Sequence, residues 1–192
     1  MKSKQALLAL FLFFGAGSLK SQDIPPPNPG LVINIVSGWS IEFVFDEFIE
    51  YHNGINTGQA TFIRIGSIYD WKLQFKADQL TFIGVYDAAH HMELNNLGLL
   101  IESIGTNQDD GSNIINNAKY AQVALESSDI TILTKGNLTN KGYGIENSFT
   151  LNWEMGTMQG NMNTLSIFDQ MAAGLVDADT YTVNVILTLS VY

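Results

Sequence analysis

Along most of the chain apolar residues recur at every second position, the period of a β-strand with one buried face. Leu31–Val36 (LVINIV) places Leu31, Ile33 and Ile35 together on one face. Trp39–Tyr51 follows, with Ile41, Phe43 and Phe45 alternating against Glu42, Val44 and Asp46, and it reads as a second strand. His52-Asn53-Gly54 then predicts a turn, because an Asn-Gly pair tolerates positive φ. Ala60–Ile65, Trp71–Ala77 and Leu80–Tyr86 predict three more strands, and WKLQFKA separates Trp71, Leu73 and Phe75 cleanly from Lys72, Gln74 and Lys76. Met92–Ile104 is apolar enough for a strand pair. Residues 105–119 are rich in Asn, Asp, Gly and Ser and read as a long loop, with a short helix expected in AKYAQVALES after it. Ile130–Leu133 and Ser148–Met155 resume the strand pattern, and a Gly/Met/Asn stretch, Gly156–Asn163, precedes Leu165–Phe168. In Thr180–Tyr192, Tyr181, Val183, Val185, Leu187, Leu189 and Val191 share one side without a break. No helical periodicity separates these segments, which excludes a βαβ architecture. The expected fold is all-β, a two-sheet sandwich of about 7–10 strands.

The start of the chain follows another pattern. Lys2 and Lys4 precede nine unbroken apolar residues, Ala6–Phe14 (ALLALFLFF), and then the small residues Gly15 to Ser18. The run is shorter than the roughly 20 residues that span a bilayer and has the length of a secretory leader core. Residues 1–21 are therefore expected to be a signal peptide, cut after Ser21 or, alternatively, after Ser18. All four prolines fall within Pro25–Pro29, so residues 22–30 read as an extended linker or N-terminal arm. Residues 31–192 are expected to form one domain. The chain has no cysteine, which excludes both disulfides and lipidation of an N-terminal cysteine.

Charge narrows the partners. The chain carries 9 basic and 19 acidic residues, and without residues 1–21 the balance is 6 to 19. No cluster of Lys and Arg is left for nucleic acid or an anionic membrane, and the scattered acids describe a solvated surface.

Chemistry is sparse. There is no phosphate loop, zinc signature or thiol nucleophile. His90 and His91 are neighbours and point opposite ways on an extended chain, so they do not face one ion together. Asp109-Asp110-Gly111 with Asn107 and Asn113 offers hard oxygen donors, but without the alternating order of a calcium loop. Glu42, Asp46 and Glu50 would share a solvent face and lack an apolar pocket to separate their pKa values. Trp71 and Trp153 fall in phase with core positions rather than forming a platform for sugars. No catalytic residue, metal or cofactor is nominated, and the chain is expected not to be an enzyme.

The two ends of the domain carry the signal. No charge and no proline lies in Leu31–Val36 or Thr180–Tyr192, so neither has the devices that protect a sheet edge. From this pattern Leu31, Ile33 and Ile35 are candidate donor-strand plugs, able to complete a neighbour's sheet. The ending, Ala178-Asp179-Thr180-Tyr181-Thr182-Val183 through Leu187-Thr188-Leu189-Ser190-Val191-Tyr192, resembles the last strand of chaperone–usher pilins and spore coat protein U-type secreted domains. FIEYHNGI (48–55) and Trp71-Lys72-Leu73-Gln74-Phe75-Lys76-Ala77 are similar to the Tyr-x-Asn-Gly and Trp-x-Leu-x-Val-x-Ala patterns of such domains. Phe75 replaces the valine, and the frequent cysteine pair is missing.

The resemblance implies an incomplete immunoglobulin-like sandwich, filled in a fibre by the N-terminal strand of the next subunit. Tyr181, Val183, Val185, Leu187, Leu189 and Val191 would then be the strand that pairs with a periplasmic chaperone or a neighbouring subunit, and an outer-membrane usher would be a further partner. The expected role is a structural subunit of an extracellular filament or surface coat, exported through the periplasm to the cell surface. Two alternatives stay open. One is a self-contained secreted binding module for carbohydrate or another surface. The other is a small outer-membrane barrel, against which stand the irregular stretches 88–96 and 105–120. Pairing of both end strands within their own domain is equally compatible with the pattern.

Overall fold

A computed structural model describes residues 8–13 and 30–192. The leader boundaries and the proline arm at 22–29 lie outside the described residues. The described residues form thirteen strands: β1 (Leu8–Phe13), β2 (Leu31–Ser37), β3 (Ser40–Phe45), β4 (Ala60–Ser67), β5 (Trp71–Ala77), β6 (Thr81–Gly84), β7 (His91–Glu93), β8 (Leu97–Ser103), β9 (Ile114–Asn116), β10 (Val123–Ala124), β11 (Ile130–Lys135), β12 (Ser148–Met155) and β13 (Thr180–Val191). Two short helices, α1 (Phe48–Asn53) and α2 (Ile167–Ala172), complete the set with a 3-10 turn at Leu94–Asn96.

The strands form two sheets. The first runs β3-β1-β13-β5-β11-β9, with β6 pairing β13 beyond β5 and β7 pairing β6. The second runs β10-β8-β12-β4-β2. Every ladder is antiparallel except β1 on β13, which is parallel. The order closes neither sheet into a ring among the described residues. The fold is an all-β sandwich.

Alternation decides which residues meet between the sheets. In β5, Trp71, Leu73, Phe75 and Ala77 are buried while Lys72, Gln74 and Lys76 are half-exposed. In β12, Phe149, Leu151 and Trp153 are buried opposite them. Trp71 meets Phe149 edge-on at 6.1 Å between ring centroids, and Phe75 meets Trp153 at 6.5 Å, so aromatic pairs bridge the two layers. Both indoles are satisfied: Trp153 Nε1 donates to Thr61 Oγ1 at 2.9 Å and Trp71 Nε1 to the Asn140 carbonyl at 2.7 Å.

Three local expectations are corrected. The strand read over Trp39–Tyr51 stops at Phe45, and residues 48–53 are helical. Glu50 is the reason: its carboxylate accepts the backbone N–H groups of Asp46 and Glu47 at 2.9 and 3.1 Å, satisfying donors that a helix start leaves free. His52-Asn53-Gly54 is thus a helix end rather than a turn between strands, and Gly54 closes it with the expected positive φ, 74°. Leu165–Phe168, to which the sequence pattern assigns no element, opens a helix, because the Ser166 hydroxyl caps it by accepting from Asp169 N at 3.0 Å. The helix expected in AKYAQVALES is absent. Asparagine side chains take its backbone donors instead, Asn116 binding Ala118 N and Asn161 binding Ala124 N, and the segment contributes only the short β10.

Candidate assembly site

β13 is the longest strand, and its burial fades along its length. Tyr181, Val183 and Val185 are buried, Leu187 and Leu189 half-buried, and Val191 exposed. One edge of β13 is fully used, by β5 along Val185–Val191 and by β6 at Tyr181 and Thr182. The other edge is paired only along Thr180–Asn184, and the partner is β1, the apolar run that the sequence reads as a leader core.

β3 depends on the same segment. Its ladder partner among the described residues is β1 alone, with Leu8 to Phe13 opposite Phe45 to Ser40. Ile41, Phe43 and Phe45 are nevertheless 2%, 1% and 0% exposed, so β3 belongs to the core. In register, Leu8, Leu10 and Leu12 stand opposite those three core-facing residues, and Leu10 and Leu12 also stand opposite Tyr181 and Val183. β3 and β13 therefore do not pair with each other; they flank a slot one strand wide, about 10 Å between backbones.

The predicted donor residues lie elsewhere. Leu31, Ile33 and Ile35 sit in β2, paired with β4 of their own chain, and none is fully buried. A register shift between Ile35 and Ser37 interrupts that ladder. The outer edge of β2 carries no ladder among the described residues, and its Val32 and Val36 are exposed.

At the head of β13 a polar cluster fixes one end of the slot. Asp179 accepts the N–H groups of Tyr86, Asp87 and Thr180 at 3.0, 3.0 and 2.6 Å, and its Oδ2 lies 2.9 Å from His90 Nδ1. The Asp87 and Asp177 carboxylates lie 3.8 Å from the other ring nitrogen of His90. Burial pushes the Asp179 carboxyl up, but these four bonds outweigh it and hold the group below the usual carboxylate range. The bond to Asp179, with the nearby acids, raises the His90 pKa. Gly84 packs so closely here that a Cβ would strike Asp87 O and lie 2.5 Å from Asp179 Oδ2. Beside the cluster, burial raises the Tyr181 phenol to about 12, and its hydroxyl donates to Asp177 O.

The cluster gives a pH signature. His90 binds its proton more tightly in the folded chain, so its contribution is complete below its ordinary value near 6.5 and fades as pH rises through the raised one. Asp179 contributes above its ordinary 3.8 and fades as pH falls through its lowered value. Asp179→Asn presents Nδ2 to backbone donors and is expected to cost about 2–3 kcal/mol near pH 6. Urea midpoints measured from pH 3 to 9 check it: the variant should decline less steeply than the wild type on both flanks, with the remainder carried by Asp70 and Asp110 on the acid side and by Asp87 and Asp177 around His90.

The remaining sequence candidates form no reactive group. His91 bonds Thr81 Oγ1 at 3.0 Å on the side away from Asp179. Asp109 pairs with Lys119 at 2.9 Å, and Asp110 accepts Ser112 N at 2.9 Å in a local turn. Glu42 is exposed on β3 and Glu50 caps α1, so the two make no acid/base pair. Among the described residues no three His, Asp or Glu are grouped to hold a metal ion, and no helix is long and apolar enough to cross a membrane.

Sequence reasoning missed β3 as the second wall of the slot and β1 as a strand. The alternation of Leu8, Leu10 and Leu12 was a usable signal, masked by the unbroken apolar run around it. No protein-family model matches the chain, and no curated protein matches it.

Proposed function

We propose that the chain is an exported structural subunit of a filament or surface coat, assembled by donation of a strand into the slot between β3 and β13. The observation that supports this is that, among the described residues, the ladders connect β3 to β13 through Leu8–Phe13, a segment with the sequence of a removable leader. Once it is cut away, the sandwich is one strand short. It becomes an incomplete immunoglobulin-like domain, non-enzymatic, whose partners are copies of itself, with a periplasmic chaperone and an outer-membrane usher holding it before assembly.

The donor is Leu31–Val36 of the next copy. On β4 this strand makes one ladder, broken at Ile35; in the slot it would make two. The exchange therefore gains main-chain hydrogen bonds while keeping an uncharged alternating strand in an apolar site. Electron microscopy of the processed protein is expected to show regular fibres. Ile33→Lys should reduce fibre mass at least tenfold while leaving the circular dichroism of the subunit unchanged. A processed protein that stays monomeric at high concentration would contradict the proposal, and fibres unaffected by Ile33→Lys would place the donor elsewhere.

A second reading has its own observation. Phe48, His52 and Phe168 stack at the α1–α2 end of the sandwich with ring centroids 4.4–5.2 Å apart, and Phe48 and Ile49 are exposed. Such an aromatic patch suits a binding module that recognises a glycan or another surface. Binding lost on Phe48→Ala by a stable monomer would favour it.

A further inference from the structure

We propose that the unprocessed chain caps itself: its own leader core, Leu8–Phe13, fills the slot between β3 and β13 as a parallel strand, and leader removal is the step that exposes the slot to partners. The consequence for assembly rests on the filament reading above; the capping itself rests on the pairing alone. That pairing is specific in three respects. Leu8–Phe13 is uncharged, as a strand entering an apolar slot must be. It is bonded on both sides, with five register pairs to β13 and six to β3. Its leucines stand at the positions opposite Ile41, Phe43, Phe45, Tyr181 and Val183, which are the buried residues of the two walls.

The arm that follows the leader cannot take its place. Residues 22–30 (QDIPPPNPG) hold four prolines and a single aliphatic residue besides them, Ile24. Proline supplies no N–H, and a strand bonded on both edges needs one at nearly every residue. Cutting the leader therefore leaves the slot open rather than refilled from the same chain end. The cut is hydrolysis by a leader peptidase: water adds across one amide, giving a carboxylate on the leader and an amine on the arm. The unprocessed chain is then closed to assembly, and only the processed one can accept a strand.

The absence of cysteine makes a direct test simple. In the full chain, Phe11→Cys and Glu42→Cys occupy directly opposed positions of β1 and β3. Under mild oxidation they are expected to form a disulfide within single chains, seen as a faster-migrating monomer. Ala9→Cys with Glu42→Cys, two residues out of register, should cross-link at least tenfold less. A disulfide found only between two chains, or equal yields from both pairs, would overturn self-capping. A Trp39→Cys control paired with Phe11→Cys shows whether random collision suffices. A protease site placed in the 22–30 arm supplies the second arm. Cutting the folded full chain and releasing the leader should convert monomer to polymer. If cut and uncut chains polymerise alike, self-capping fails and the filament reading survives. If the register pair cross-links but neither form polymerises, capping stands and the filament reading fails.

Discussion

A chain beginning at Gln22 and kept dilute is expected to be about 5 kcal/mol or more less stable than the full chain, with its urea midpoint shifted accordingly. β1 accounts for this loss in two ways. It holds on the order of ten ladder bonds between β3 and β13, each worth roughly 1 kcal/mol net. It also covers the walls of the slot, where burying a side chain such as Phe43 or Val183 is worth about 1.5–3 kcal/mol. A domain has only about 5–15 kcal/mol in total, so loss of β1 touches most of it. β3, left without a ladder, should fray first, and its amides should exchange fastest. Peptide carrying Leu8–Phe13 with a solubilising lysine tail, added in trans, should restore the midpoint; a midpoint equal to that of the full chain without peptide would show that β3 and β13 close on each other.

Asn140→Ala is expected to destabilise the full chain by about 3–5 kcal/mol, as large an effect as a single polar substitution produces. Asn140 is fully buried and treats Trp71 as a strand partner would. Its Oδ1 accepts Trp71 N at 3.1 Å, and its Nδ2 donates to Trp71 O at 2.9 Å. Its own carbonyl accepts Trp71 Nε1 and Asn147 Nδ2. Alanine removes the first pair and leaves a backbone donor and acceptor of β5 unpaired in the core. Asn140→Asp should be intermediate, since it keeps the acceptor toward Trp71 N and loses the donor. Urea unfolding followed by tryptophan fluorescence measures both, and a loss below about 1 kcal/mol would mean that water reaches this end of the sandwich.

Strand after strand was legible from alternation because one face of each is buried and the other wet. β5 shows this most plainly, with Trp71, Leu73 and Phe75 buried as their period implies, whereas in β13 the shared face is buried only from Tyr181 to Val185 and is exposed by Val191. What escaped were elements set by side-chain-to-backbone bonds, which leave hydropathy untouched. Glu50 starts α1 inside an alternating run, Ser166 starts α2, and Asn116 and Asn161 suppress a helix that composition favours. Of the candidate site, β13 was visible as one wall. Its opposite wall was not, because β3 looks like any other half-buried strand until its missing neighbour is known. The Asp179–His90 cluster was equally hidden: its residues are 89 apart in sequence and meet only when β13 returns beside β6.

The direct test is to see what occupies the space between Ser40–Phe45 and Thr180–Asn184 after leader removal, by cryo-electron microscopy of the assembled, processed protein. A strand from another polypeptide, bonded to both β3 and β13, is the expected result. Direct hydrogen bonds from β3 to β13 within one chain, with nothing inserted, would contradict it.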